Sequence, residues 1–94
     1  MKVVFAPEAI ADLEATVGFI RERDQDAATR LAARVLEVID RIAEREFDGP
    51  EVVLGSGARV QSWPVPPLRV YYQRKQEAVH VLRIYHQARR PLVR

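Results

Sequence analysis

A chain of 94 residues, 48% hydrophobic and 30% charged with a net charge of +2, is expected to form one soluble domain, residues 1–94, with a modest core. It has no cysteine, which excludes disulfides and thiolate metal sites, and no apolar run approaches the ~20 residues of a membrane span. The apolar stretch near Met1 is too short for a signal peptide, so a cytoplasmic protein is expected.

Lys2-Val-Val-Phe5 is rich in β-branched and aromatic residues and reads as a short strand. Pro7 suits the first turn of a helix, where its missing N–H would be unbonded anyway, and Glu8 meets the positive end of the helix dipole. Ile10, Leu13, Val17 and Ile20 follow at helical spacing and predict the buried stripe of a first helix. Asp24-Gln-Asp26 is a polar break carrying N-cap residues. Ala28, Leu31, Val35, Val38 or Ile39, and Ile42 then predict a longer helix ending near Arg45. Its Ala27-Ala28 and Ala32-Ala33 pairs allow another helix to approach, so the two helices form a hairpin.

Phe47-Asp-Gly-Pro50 closes the helical part, and Glu51-Val-Val-Leu54 reads as either a short strand or an ordered loop. Arg59 to Trp63 alternates as a strand, with Pro64, Pro66 and Pro67 expected to stop it. Leu68–Arg74 and Ala78–Tyr85 are the two clearest strands, and Lys75-Gln-Glu77 turns between them without a glycine to fix the turn type. The predicted order is β-α-α-β-β-β, an α+β domain with a helical hairpin on one face of a small, mostly antiparallel, twisted sheet.

Charge divides along the chain. Residues 1–51 carry 12 acids against 7 bases, and residues 52–94 one acid, Glu77, against 8 bases. Helices favour Glu, which accounts for part of the split, but the strand half still implies a strongly positive region suited to an anionic partner.

This order and these residues resemble the RelE/ParE toxin superfamily of bacterial type II toxin–antitoxin systems. The resemblance rests on Phe5-Ala-Pro-Glu-Ala-Ile-Ala-Asp-Leu13, on Asp26-Ala-Ala-Thr-Arg-Leu31, on Leu68-Arg-Val-Tyr-Tyr72, and on Val81-Leu-Arg-Ile-Tyr-His86 followed by Arg89-Arg90-Pro91. It covers almost the whole chain and is closer to the ParE branch, whose members are also called plasmid-stabilisation proteins. It departs from the family pattern at Phe47-Asp-Gly-Pro50, at Gln87, where a glycine is common, and in the stiff Trp63-Pro-Val-Pro-Pro67 lead. A ParE-like toxin implies inhibition of DNA gyrase, growth arrest, and neutralisation by a cognate ParD-like antitoxin. The alternative, a RelE-like enzyme, implies metal-independent cleavage of mRNA on the ribosome.

The resemblance and the basic strand half place target contacts on Arg83, His86, Arg89 and Arg90. Antitoxin contacts are placed on Arg59, Trp63, Arg69, Val17 and Ile20. A gyrase poison needs no catalytic residues, whereas an RNase would draw on Arg69, Tyr85, His86 and Arg89. Phosphodiester cleavage needs a base, an acid and cations on the developing phosphorane charge. The lysines that RelE-like enzymes place on the middle strands are missing, since only Lys2 and Lys75 occur.

Structural readings stand beside these roles. Arg69 could pair with a helix carboxylate, Glu37 or Asp40; His86 could be a structural hydrogen-bonder; Trp63 could be a core lid. Tyr71, Tyr72 and Tyr85 read as sheet residues whose hydroxyls reach the edge. Arg89, Arg90 and Arg94 could be a solvated tail. Two histidines without cysteine make no metal site, and there is no phosphate-binding glycine loop, so neither a metal nor a cofactor is expected.

Overall fold

The computed structural model describes residues 1–87, and Arg89, Arg90 and Arg94 lie outside them. The elements are β1 (Lys2–Phe5), α1 (Pro7–Arg21), α2 (Gln25–Ala43), β2 (Glu51–Val53), β3 (Arg59–Val65), β4 (Leu68–Lys75) and β5 (Ala78–His86). They form one five-stranded sheet in the order β1-β5-β4-β3-β2. β1 runs parallel to β5, and every other pairing is antiparallel. The helical hairpin covers one face, as the α+β reading expects. The segment at Glu51, open between strand and loop in the sequence, is a short strand.

Local chemistry explains the ends of the helices. Pro7 opens α1, and Asp24 caps α2 by accepting the Ala27 N–H at 3.0 Å. α2 stops at Ala43, just short of the expected Arg45. Arg45 adopts φ 62°, its N–H reaches the Ile42 carbonyl and the Glu46 N–H reaches that of Arg41. This is the left-handed helix stop that usually takes glycine.

One layer of core lies between helices and sheet. Leu31, Val35, Ile39 and Ile42 of α2 meet Leu68, Val70 and Tyr72 of β4 and Val79, Val81 and Ile84 of β5. The expected α2 stripe is therefore the observed one. Of the expected α1 stripe, Val17 is buried and Leu13 and Ile20 pack half-buried against the core, and Ile10 alone departs from it. Ile10 is 45% exposed, and its neighbour Ala9 is fully buried in its place.

A smaller cluster, Val60, Tyr71 and Tyr85 with Val52, Leu54 and Leu82 against it, lies on the other face of the sheet. Alternation along β4 separates the two faces: Leu68, Val70 and Tyr72 face the helices, and Arg69 and Tyr71 face away. The β4–β5 register slips between Tyr71 and Tyr72, so that Tyr72 pairs with Val81 and Tyr71 with Arg83. This bulge gives Leu82 to the open face without a partner.

One proline expectation changes, and the turn type left open in the sequence is now defined. Pro64 does not stop β3, which continues to Val65. β2 pairs with β3 only as far as Gln61, so Pro64 sits where β3 has become an edge and no ladder donor is missed. The β4–β5 turn places Gln76 at φ 54° and Glu77 at φ 60°. Two left-handed residues make the turn that matches strand twist, built here without glycine.

Candidate functional site

The end of β5 is the first site region. β1 pairs with β5 only from Ala78 to Val81, which leaves the edge of β5 open beyond that point. Asp12 of α1 closes it. Its carboxylate accepts the Ile84 N–H at 2.9 Å and both Arg83 Nε and Nη2, at 2.8 and 2.9 Å. The bidentate fork is the strong form of an arginine–carboxylate pair. Hydrogen bonding to Asp12 raises the Arg83 pKa above its ordinary value, against a smaller opposing effect of burial. The guanidinium also lies 4.3 Å over the Tyr85 ring. Arg83, expected to contact a target, is thus already bound within the fold.

His86 completes this end. It lines a shallow cleft of about 300 Å³ with Asp12, Ala15, Thr16 and Phe19 of α1. Phe19 is 59% exposed, and its ring is held under the Arg23 guanidinium, 4.0 Å away. Arg89 and Arg90 follow His86 in sequence and fall outside the described residues.

The open face is the second region. Arg69 pairs across the sheet with Tyr85, and Tyr85 meets Tyr71 edge to face at 5.9 Å. Arg69 Nε donates to the buried Ser62 Oγ at 3.0 Å. An ion pair of Arg69 with Glu37 or Asp40 is ruled out by direction: Arg69 points away from the helices, and both carboxylates are exposed on α2. His86 stands opposite Leu68, in the row that faces α1. Arg69 and Tyr85 are therefore together, with His86 on the other side of the sheet.

The five residues assigned to the antitoxin do not form one surface. Val17 is buried and Ile20 half-buried on α1. Trp63 stacks on Phe47 at 4.3 Å against the core, so it acts as a lid. Arg59 is exposed near the end of the sheet and pairs with Glu51 at 3.0 Å. Arg69 is on the open face.

Sequence reasoning missed a lock behind α2. The Tyr72 hydroxyl accepts the Gly49 N–H at 2.8 Å and donates to Asp48 at 3.1 Å. Arg74 pairs with Asp48 and also donates to the Ile42 carbonyl at the end of α2. Burial pushes the Asp48 carboxyl up, but its bonds to Arg74 and Tyr72 outweigh that and hold it below its ordinary value. Burial first, then the neighbouring Asp48, pushes the Tyr72 hydroxyl up and keeps it a donor. A Cβ on Gly49 would lie 1.6 Å from the Ser62 carbonyl oxygen, so only glycine fits there. The lone signal in the sequence was glycine beside aspartate after a helix.

Also missed was an outward groove between the helices. Ile10 and Leu36, 45% and 47% exposed, line a cleft of about 230 Å³ with Phe5, Leu13 and Glu14. A second cleft of about 380 Å³ shares Leu13 and Glu14 with it and adds Val17, Arg21 and Ala32. Val17 lines that groove from below. Among the described residues no group of three or more His, Asp or Glu could hold a metal, and no helix is long and apolar enough to cross a membrane.

A family model described as "ParE toxin of type II toxin-antitoxin system, parDE" matches residues 3–91. A chain from a solved structure titled "Chromosomal ParDE TA system from P. aeruginosa" superposes with a TM-score of 0.74 at 16% identity, covering 92% of this chain and 95% of that one. No curated protein matches.

Proposed function

The chain belongs to the ParE toxin family of type II toxin–antitoxin systems, and from that membership we propose that it arrests growth by binding DNA gyrase and is neutralised by a cognate ParD-like antitoxin. The observation that carries this reading is the extent of the family match, residues 3–91, which takes in the helical hairpin and every strand. A toxin of this kind acts in the cytoplasm, and its maintenance with an antitoxin gene would stabilise a plasmid that carried the pair.

Poisoning by binding is also favoured by where the acid–base groups lie. RNA cleavage needs base, acid and cations gathered on one phosphate. Here the sheet separates His86 from Arg69 and Tyr85, and Arg83 is committed to Asp12. The target surface in this reading is the β5 end: His86, the exposed Phe19 beside it, and Arg89 and Arg90 beyond. An exposed aromatic held by an arginine is the kind of anchor that concentrates binding energy at protein interfaces.

The antitoxin is assigned to the groove between α1 and α2. An amphipathic segment that folds on binding would set apolar side chains against Ile10, Leu36 and Val17. Arg59 and Arg69, on other faces, then serve only an antitoxin long enough to wrap the sheet.

The deciding experiment sets gyrase against ribosome. Purified protein is expected to block supercoiling of relaxed plasmid, and the purified antitoxin to restore it. Cells expressing the toxin alone should form filaments with DNA-damage signalling. Cleavage of ribosome-bound mRNA with supercoiling untouched would replace this reading with the RelE-like one. Alanine at both Arg89 and Arg90 should leave stability within ~0.5 kcal/mol while weakening gyrase inhibition. Full inhibition by that folded variant would move the target surface elsewhere.

A further inference from the structure

Three described non-glycine residues hold left-handed backbone: Arg45 at φ 62°, Gln76 at φ 54° and Glu77 at φ 60°. They belong to different elements. Arg45 ends α2, and Gln76 and Glu77 turn β4 into β5. All three nevertheless line the same cleft, of about 470 Å³, together with Met1, Arg74 and Lys75. It sits at the far end of β5 from His86.

Each backbone conformation has a local reason, helix termination or a tight hairpin, but neither reason requires these side chains. Glycine or asparagine would suit both places with less strain. Strained residues that persist where a less strained residue exists point to a use for the side chain. The charged side chains that line the cleft are mostly cationic: Arg45, Arg74 and Lys75 against the single carboxylate of Glu77. Arg74 is tied to Asp48 and the end of α2, so it supplies field from a fixed position. Arg45 and Lys75 are exposed and line the cleft from different elements, the end of α2 and the end of β4. A concave site of net positive charge concentrates anions, and a guanidinium beside an ammonium suits phosphate oxygens.

We infer that this cleft is a phosphate-binding site, separate from the antitoxin groove and from the β5 end, with Arg45 and Lys75 as its ligands. The phosphate belongs either to a nucleic-acid backbone or to a small phosphate ion, and Glu77 tunes the affinity downward.

The test reads binding and stability together on the full chain. Amide NMR spectra are titrated with inorganic phosphate in one arm and with a short DNA duplex in the other. Shifts centred on Arg45 and on Lys75 to Glu77 are expected. Saturation by phosphate alone identifies a small-anion site. A response to duplex only, weakening steeply with salt, identifies a backbone contact. Both outcomes support the site, and shifts absent from this cleft in both arms overturn it. Arg45→Gly is expected to raise the melting temperature while weakening binding about tenfold, the loss of one charge-assisted contact. Lys75→Gln should weaken binding similarly without altering stability, and Glu77→Gln should tighten it. Unchanged affinity in Arg45→Gly and Lys75→Gln would show that neither side chain is a ligand and would overturn the site.

Discussion

The two helices of the hairpin differ in how they spend their apolar residues. α2 buries Ala28, Leu31, Val35, Ile39, Ile42 and Ala43 along one stripe, and Leu36 is its exception. α1 buries only Ala9 and Val17, and it turns Ile10 and Phe19 outward. Leu13 and Ile20 pack half-buried on the core, and a polar tie adds to them: Asp12 holds Arg83 and the Ile84 N–H. α2 is thus a core helix. α1 is a surface helix that carries spare apolar area on both sides of its contact with the sheet, which suits an element meant to meet partners.

The sharpest way to break that contrast is truncation on each helix. Ile39 is 1% exposed, and Ile39→Ala should cost about 2–5 kcal/mol through lost burial and the cavity left behind. Ile10→Ala should cost less than ~1 kcal/mol, the range of a half-exposed surface change. The same Ile10 variant should bind the antitoxin more weakly. Urea denaturation beside a binding titration separates the two effects. Equal stability losses at both positions would mean that α1 packs as tightly as α2.

The next effect tests the polar tie. Asp12→Ala leaves the Arg83 guanidinium and the Ile84 N–H without their acceptor. Complete burial of such a pair would make its breaking cost ~3–5 kcal/mol. The Arg83 side chain is 31% exposed and can recover water, so about 2 kcal/mol is expected. Asp12→Asn should recover part of the loss, since an amide oxygen still accepts from the strand. Hydrogen exchange should locate the damage at Ile84 and its neighbours. Uniform loss of protection across the sheet would assign Asp12 a global role instead.

The same contrast explains what the sequence could tell. α2 was legible because its large apolar residues repeat on one stripe and all but Leu36 turn inward. β4 and β5 were legible because alternation and burial agree. On α1 two neighbours, Ala9 and Ile10, competed for one inward position, and size favoured the wrong one. Spacing cannot show that the smaller residue is needed where the helix comes close. The two arginine clamps were hidden for another reason. Asp12 and Arg83 lie 71 positions apart, and Asp48 and Arg74 lie 26 apart, so no local pattern pairs them. The Arg83 partner was hidden because nothing in β5 itself reveals that β1 stops short and leaves the edge to a helix carboxylate. The stacking of Trp63 on Phe47 was hidden too, because the two lie 16 positions apart on a loop and a strand.

The smallest expected effect concerns the lock at the end of α2, the counterpart of the Asp12 tie on α1. The Asp48 carboxyl is held below its ordinary value of 3.8 once the bonds to Arg74 and Tyr72 have outweighed burial. A carboxyl with a lowered folded pKa contributes stability that is present above 3.8 and disappears as pH falls through the folded value. The side chain is 51% exposed, so solvent screens the pair and the contribution is modest. Asp48→Asn should therefore be slightly less stable than the parent at neutral pH, and the two melting curves should converge as acid protonates the parent. On the alkaline side the Tyr72 hydroxyl, raised from 10.0, should make the parent lose stability as pH climbs past that value, and Tyr72→Phe should remove that dependence. Melting temperatures recorded across this range test both limbs. A difference between the parent and the Asp48→Asn variant that persists unchanged in strong acid would show that Asp48 acts through shape and hydrogen bonding, with its charge contributing nothing.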